Sequence, residues 1–135
     1  MNFSDENIVF SSEDNAKLLV ISVQYCVENY IAFNVQVKSG NFQGESNFCI
    51  SKKEIISTLD VLSKMHSNLN GMCSIKDTDS DAYINIEVDN RGHCNVFGQI
   101  GGSHQDHLMR FKYCADQTLL YNLIKIFEKS LESCD

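Results

Sequence analysis

A chain of 135 residues with a net charge of −7 is long enough for one domain and too acidic to bind nucleic acid through its phosphate backbone. Apolar residues make up 43% of the chain, enough for one hydrophobic core, and no stretch resembles a signal peptide or a membrane span. We therefore expect one cytoplasmic domain over residues 1–135, with a basic partner and no direct contact with nucleic acid or membrane.

Six cysteines are spread along the chain, and no two of them form a CxxC pair. A disulfide-stabilised scaffold is usually smaller and denser in cysteine. The spacing therefore predicts reduced cysteines, most of them packed as small apolar groups. Cys134, one residue before the end of the sequence, is expected to be exposed.

The first half of the chain alternates apolar and polar residues, which is the period of a strand with one buried face. Four strands are predicted, at residues 7–10, 18–25, 30–38 and 42–50, and the alternation is cleanest at 30–38. In the second segment the inward side is expected to hold Leu19, Ile21, Val23 and Tyr25. Gly44 interrupts the fourth segment, as is typical of an edge or bulged strand, and such an edge could pair with a second copy to form a homodimer.

A helix is predicted after the fourth strand. Ser51 and Glu54 have the spacing of a capping box, in which each side chain accepts the other residue's backbone amide. The apolar stripe of this helix is expected to consist of Ile55, Ile56, Leu59, Leu62 and Leu69. Gly71 is expected to stop the helix, and residues 72–76 to form the next strand.

A hairpin is predicted from the alternation of residues 82–89, whose apolar side holds Ile84, Ile86 and Val88. A three-residue loop at 90–92, with Gly92 in the left-handed conformation, would join this strand to the next. That loop sets Asp89 opposite His93, Val88 opposite Cys94 and Ile86 opposite Val96. A two-residue loop would turn one apolar face outward, so the three-residue loop is preferred.

Residues 107–115 form the last predicted strand, with Arg110 and Lys112 on the outer side. Asp116 can cap the helix that follows, because its carboxylate can accept free backbone amides. The apolar stripe of that helix consists of Leu119, Leu120, Leu123, Phe127 and Leu131. Strands followed by a helix, twice over, predict the α+β class: an antiparallel sheet of about six to eight strands with two α-helices packed on one face.

Three motifs suggest metal or phosphate binding, and each departs from its pattern. Asp77, Asp79 and Asp81 have the opening spacing of a calcium loop, but Ala82 and Val88 stand where its glycine and bidentate glutamate belong. The HxxH spacing at 104–107 lies in a glycine-rich loop rather than on a fixed helical face. The glycines of residues 98–102 precede no helix, so they cannot form a phosphate cradle with a helix N-terminus.

Cys94 and Cys114 could pair with a histidine as a nucleophile, but Cys94 lies on the apolar side of its strand, where a thiol is inert. No paired carboxylates, Ser-x-Gly turn or HExxH motif is present. The sequence therefore predicts no enzyme activity, no cofactor and no metal.

Acidic residues are concentrated between positions 77 and 89, where Asp77, Asp79, Asp81, Glu87 and Asp89 occur. The predicted register places Phe97 on the same outer face as Glu87. An aromatic side chain beside carboxylates on an open sheet face is typical of a protein-binding patch. Alternatively, Arg110 and Lys112 pair with these acids across the sheet.

The C-terminal part carries a resemblance to a known family. Its residues are Gly92-His-Cys-Asn-Val-Phe-Gly98, Leu108-Met-Arg-Phe-Lys-Tyr113 and Asp116-Gln-Thr-Leu-Leu120. These segments resemble immunity proteins of bacterial polymorphic, contact-dependent toxin systems, of the wall-associated-protein type. The resemblance implies a cytoplasmic, non-catalytic protein that binds and neutralises one cognate toxin domain, often a nuclease. It carries over no functional residues, because such pairs diverge at their interfaces.

The expected function is therefore a binding inhibitor that occludes the basic active site of the C-terminal domain of its cognate toxin. The predicted toxin-binding residues are Asp77, Asp79, Asp81, Glu87, Asp89 and Phe97. Their negative charge would speed association with a basic nuclease cleft. The alternative is a small-ligand-binding or regulatory domain in which the glycine-rich loop at 98–107 acts as a lid.

Overall fold

A computed structural model of the chain describes residues 5–103 and 106–134. After a short 3-10 helix, Asp5–Asn7, the first half contains β1 (Ile8–Ser11), β2 (Lys17–Val27), β3 (Tyr30–Ser39), β4 (Phe42–Ser51) and α1 (Lys52–Asn68). The second half contains β5 (Gly71–Lys76), β6 (Tyr83–Val88), β7 (Cys94–Gly101), β8 (Leu108–Ala115) and α2 (Thr118–Ser133). The predicted α+β class is confirmed.

The strands form two antiparallel sheets of four strands each, in the orders β1-β2-β3-β4 and β5-β6-β7-β8. The predicted strand number and direction are therefore confirmed, but the prediction of a single sheet is wrong, because the eight strands form two sheets. Alternation alone does not say which strands pair across the intervening helix, and the structure divides them into a first and a second sheet. Helix α1 contacts α2, β4 and β5, and α2 also contacts β1 and β2.

The predicted register of the second sheet is confirmed. Val88 pairs with Cys94 and Ile86 pairs with Val96, and Asp89 donates its backbone N–H to the carbonyl of His93 at 3.0 Å. Gly92 adopts a φ of +81°, the left-handed conformation that the three-residue loop requires. The loop therefore places the apolar residues of β6 and β7 on one face.

The prediction for Tyr25 is wrong because β2 contains a β-bulge. Val23 pairs with Phe33 and Tyr25 pairs with Ala32, so one residue between them has no partner. The extra residue shifts the alternation, which turns Tyr25 outward to 60% exposure. Cys26 takes the inward side instead and packs against the core.

Two of the six cysteines form a disulfide, contrary to the prediction that they are reduced. Cys26 in β2 is joined to Cys134 after α2, with Cα atoms 5.7 Å apart and 108 residues between them in sequence. Cys134 is 8% exposed, so its predicted exposure is also wrong. Cys73 and Cys94 are free, buried thiols, as expected, and burial raises the pKa of each to about 11.

Both helices begin near the predicted caps. The Ser51 hydroxyl accepts the backbone N–H of Glu54 at 3.2 Å, as the capping box predicts. Asp116 accepts the N–H of Thr118 at 2.9 Å, although the N-cap position itself belongs to Gln117. The hydrogen bonds from Thr118 lower the pKa of Asp116, and its carboxylate is therefore ionised when it caps the helix.

The stripe of α1 is narrower than predicted, since Ile56 is 58% exposed and Leu69 lies beyond the helix as its left-handed C-cap. Ile55 and Leu62 are buried as expected, and Met65 continues the stripe one turn later. These three residues follow the helical period, whereas Ile56 points about 100° away from Ile55.

The core lies between the sheets and the helices, and Tyr113 of β8 links the two sheets directly. Its hydroxyl donates to the carbonyl of Lys38 in β3 at 2.5 Å, and its ring stacks on Phe10 of β1 at 5.2 Å. Phe33 of β3 meets Phe127 of α2 edge to face at 5.4 Å. The inner face of the second sheet is thereby fixed, and its other face is left open.

Candidate functional site: the outer face of the second sheet

The outer face of the second sheet is the side turned away from the core. Its residues alternate along the strands with buried ones, such as Ile84, Ile86 and Val96, each at most 1% exposed. The outer face consists of Met72, Ser74, Lys76, Tyr83, Asn85, Glu87, Asn95, Phe97, Gln99, Arg110, Lys112 and Cys114. Alternation on four paired strands therefore produces one dry face and one largely open face, on which Gln99 is buried at 6% exposure.

A concavity of about 360 Å³ lies on this face and is lined by Glu87, Asn95, Phe97 and Lys112. Phe97 pairs with Lys112 on one side, and Asn95 pairs with Glu87 on the other. The half-buried Phe97 side chain is therefore directly opposite Lys112 and diagonal to Glu87. Sequence reasoning placed Glu87 and Phe97 together and missed that Lys112 and Asn95 complete the concavity, although the alternation of β8 already turned Lys112 outward.

Asn85 is the cross-strand partner of Phe97 and lies on the same face. Within the described part of the chain, its buried Oδ1 atom accepts no hydrogen bond. A buried acceptor without a donor is destabilising, and such groups usually have a functional explanation. Asn85 thus adds an unused acceptor to the strand that also carries Glu87.

Asp77 is not available as a surface contact. It is 8% exposed, and its carboxylate accepts the backbone N–H of Cys49 at 2.9 Å and the hydroxyl of Ser80 at 2.5 Å. Thr78 donates in return to the carbonyl of Cys49 at 3.0 Å. Asp77 therefore attaches the β5–β6 loop to β4 of the first sheet, which is a structural role.

The Asp89 carboxylate is also engaged in hydrogen bonds with the backbone. Its carboxylate accepts the N–H groups of Arg91 at 2.9 Å and His93 at 3.0 Å, and it lies 3.6 Å from the His93 ring. Partial desolvation raises the pKa of Asp89, but the hydrogen bonds from His93 and Arg91 lower it by more. Asp89 therefore organises the hairpin loop that fixes the register of β6 and β7.

Asp79 and Asp81 are exposed in the β5–β6 loop, and Glu87 is exposed on β6. The loop precedes β6 and Asp89 follows it, so the acids that are adjacent in sequence lie toward opposite ends of a strand roughly 20 Å long. The structure brings Glu87 and Phe97 together, with Asp89 two residues beyond Glu87, and leaves Asp79 and Asp81 before the other end of β6. Asp79, Asp81 and Glu87 remain as the exposed acids of the predicted set.

Arg110 and Lys112 do not pair with the acids. Arg110 donates its Nε–H to Gln99 Oε1 at 3.3 Å, and among residues 5–103 and 106–134 no ion pair joins Arg110 or Lys112 to a carboxylate. The alternative in which these cations neutralise the acidic patch is therefore wrong. The outer face therefore exposes both cationic and anionic side chains that do not form ion pairs with each other.

Residues 98–101 of the glycine-rich segment at 98–107 belong to strand β7 and do not form a lid. Gly98 lies within β7, and a Cβ atom there would be 2.2 Å from the carbonyl oxygen of Tyr83. Glycine at this position permits close pairing of β6 and β7, and a mobile loop at 98–101 is excluded. His104 of the HxxH pattern lies outside the described residues, and the described ones contain no cluster of three or more metal-binding side chains.

Comparison of the chain with protein-family models, curated proteins and solved structures found no match. Neither described helix has the length and apolarity needed to cross a membrane. Function is therefore inferred from the residues and from the outer face.

Proposed function

We propose that the chain is a non-catalytic immunity protein that binds a cognate toxin domain and occludes its active site. The observation that carries the proposal is the convergence of Glu87 and Phe97 on an open concavity of the outer face. An aromatic anchor beside a carboxylate is the kind of centre from which a protein interface gains most of its affinity. The resemblance of residues 92–98 and 108–120 to immunity proteins supports the same role.

The proposed partner is a basic domain, most simply a nuclease, because the chain has a net charge of −7. Asp79 and Asp81 lie in the loop that precedes β6, and Glu87 lies on the outer face itself. These negative charges would steer a basic cleft toward Phe97. In this scheme Asp77 and Asp89 act indirectly: Asp77 positions the loop, and Asp89 holds the register that brings Phe97 beside Glu87. The proposed site of action is the cytoplasm.

The test is co-expression with the product of the neighbouring gene, followed by purification through a tag on that product alone. The proposal predicts a stoichiometric complex and loss of the partner's toxicity. A matched chain carrying Phe97→Ala and Glu87→Lys should bind less and protect less. If no product of an adjacent gene is toxic or forms a complex, the proposal is contradicted.

A further inference from the structure

Strand β8 is the exposed edge of the second sheet. The other three edge strands contact further elements, since β1 packs against α2, β5 against α1, and β4 against both α1 and β7. Within the described part of the chain, β8 pairs as a strand with β7 alone, and its inward Tyr113 contacts Lys38 of β3 and Phe10 of β1. Its eight residues, Leu108–Ala115, are long for an uncovered edge, because proteins usually shorten or cover such strands to prevent unwanted pairing.

The backbone groups that point outward from this edge follow from the register. Gly102 donates its N–H to the carbonyl of His107 at 3.2 Å, which makes these two residues a hydrogen-bonded pair. Bonded and non-bonded pairs alternate along an antiparallel ladder. Met109, Phe111, Tyr113 and Ala115 therefore bond to β7. The N–H and C=O groups of Leu108, Arg110, Lys112 and Cys114 point away from it.

The hydrogen bonds between β7 and β6 independently show which residues of β7 bond to β8. Asp89 donates to the carbonyl of His93, so Asn95, Phe97 and Gln99 bond to β6. The other residues of β7 are then the ones that hydrogen-bond to β8, which agrees with the pairing derived from Gly102 and His107. The edge thus offers four residues with free backbone groups, and their side chains are all exposed.

The positive charges of Arg110 and Lys112 determine which kind of strand can pair with the edge of β8. Arg110 and Lys112 are two residues apart on one face, and neither forms an ion pair among the described residues. A second β8 strand would place cations beside cations, and like charges directly opposite each other are destabilising. An added strand with carboxylates two residues apart would place one opposite each cation at the close spacing of a ladder pair.

We propose that the edge of β8 binds an acidic extended segment of a partner protein as a fifth strand of the second sheet. For antiparallel addition the segment reads acidic, any, acidic, any, apolar. Its acids lie opposite Lys112 and Arg110, and its apolar residue lies opposite Leu108, which is 54% exposed. This edge adjoins the concavity and shares Lys112 with it, and the proposal requires no assumption that the partner is a toxin.

The test uses the full chain and a fluorescent peptide, Thr-Thr-Glu-Val-Glu-Thr-Leu, with a control peptide in which both glutamates are lysines. Fluorescence anisotropy should show at least tenfold tighter binding of the acidic peptide. In Arg110→Glu/Lys112→Glu the preference should reverse, because both cross-strand pairs change sign. Binding of neither peptide, equal binding of both, or an unreversed preference would overturn the proposal.

A backbone variant separates strand addition from general charge attraction. Lys112→Pro removes an outward N–H that the β7 ladder does not use, whereas Lys112→Ala removes the same charge and keeps that N–H. The acidic peptide should bind at least tenfold more weakly to the first variant than to the second. Equal affinities in the two variants would show that no strand is added, and the charge-reversal variant decides the question if Lys112→Pro does not fold.

Discussion

The two faces of the second sheet are built from the same strands and differ in what they contact within the chain. On the inner face Ile86 and Val96 are fully buried against the core of the same chain. On the outer face Glu87 and Phe97 follow them by one residue each and line an open concavity. The period of the strand thus separates residues that stabilise the fold from residues that are free to bind a partner.

The largest expected difference between the faces is in stability. Ile86→Ala removes fully buried methyl groups and should lower the free energy of unfolding by about 2–5 kcal/mol. Glu87→Ala, one residue further along β6, should change it by less than about 0.5 kcal/mol, because the side chain is exposed. Urea unfolding of both variants measures this contrast, and similar losses would contradict the assignment of the two faces.

The disulfide should stabilise the core without contributing to the outer face. Cys26→Ser/Cys134→Ser removes a link between residues 108 apart and should cost about 2–4 kcal/mol of unfolding free energy. Cys114→Ser, at an exposed free cysteine, is the control and should cost almost nothing. A reductant should lower the stability of the wild-type chain by the same amount as the double substitution; no effect of reductant would contradict a stabilising role.

Alkaline pH should destabilise the inner face selectively. Burial raises the pKa of Tyr113 to about 12 and those of Cys73 and Cys94 to about 11. Above about pH 9 the unfolded chain loses protons that the folded chain keeps, so stability falls as pH rises toward 12.

Tyr113→Phe separates the tyrosine's share of this effect. It should cost about 1 kcal/mol at neutral pH through the lost hydrogen bond to Lys38. Above pH 10 it should remove roughly 2 kcal/mol of the alkaline loss. Thermal unfolding between pH 7 and 11.5 checks both signs, and parallel curves for the two proteins would contradict the assignment to Tyr113.

The sequence predicted local features well because their causes are local. The three-residue loop at Gly92 fixed the register of β6 and β7, and Ser51 marked the start of α1. The bulge beside Val23, the disulfide of Cys26 and the burial of Asp77 escaped prediction. The disulfide depends on Cys134 and the burial of Asp77 on Cys49, both far away in sequence, and the bulge depends on how β2 pairs with Phe33 and Ala32 of β3. Five acids close together in sequence therefore became two structural residues and three exposed ones.

Phe97 should matter for binding more than for folding. Phe97→Ala should weaken binding of the cognate toxin by about 1–2 kcal/mol, mainly through faster dissociation, because an aromatic anchor acts after contact is made. Tyr25→Ala removes an exposed aromatic side chain from the first sheet and serves as the control. Surface plasmon resonance distinguishes them, and equal dissociation rates for wild type and Phe97→Ala would place the anchor elsewhere.

The central claim is that the outer face, with its exposed acids, captures the toxin. The most direct measurement is the association rate of the cognate toxin with Asp79→Lys/Asp81→Lys/Glu87→Lys at low and high salt. The variant should fold nearly as well as the wild type, because exposed charges contribute about 0–1 kcal/mol each. A control with three exposed helical acids reversed, at Glu54, Glu128 and Glu132, has the same net charge.

Association of the toxin should be slower, and its salt dependence weaker, with the outer-face variant than with the helical control. An association rate at low salt equal to that of the wild type would contradict the account and place the interface on another surface.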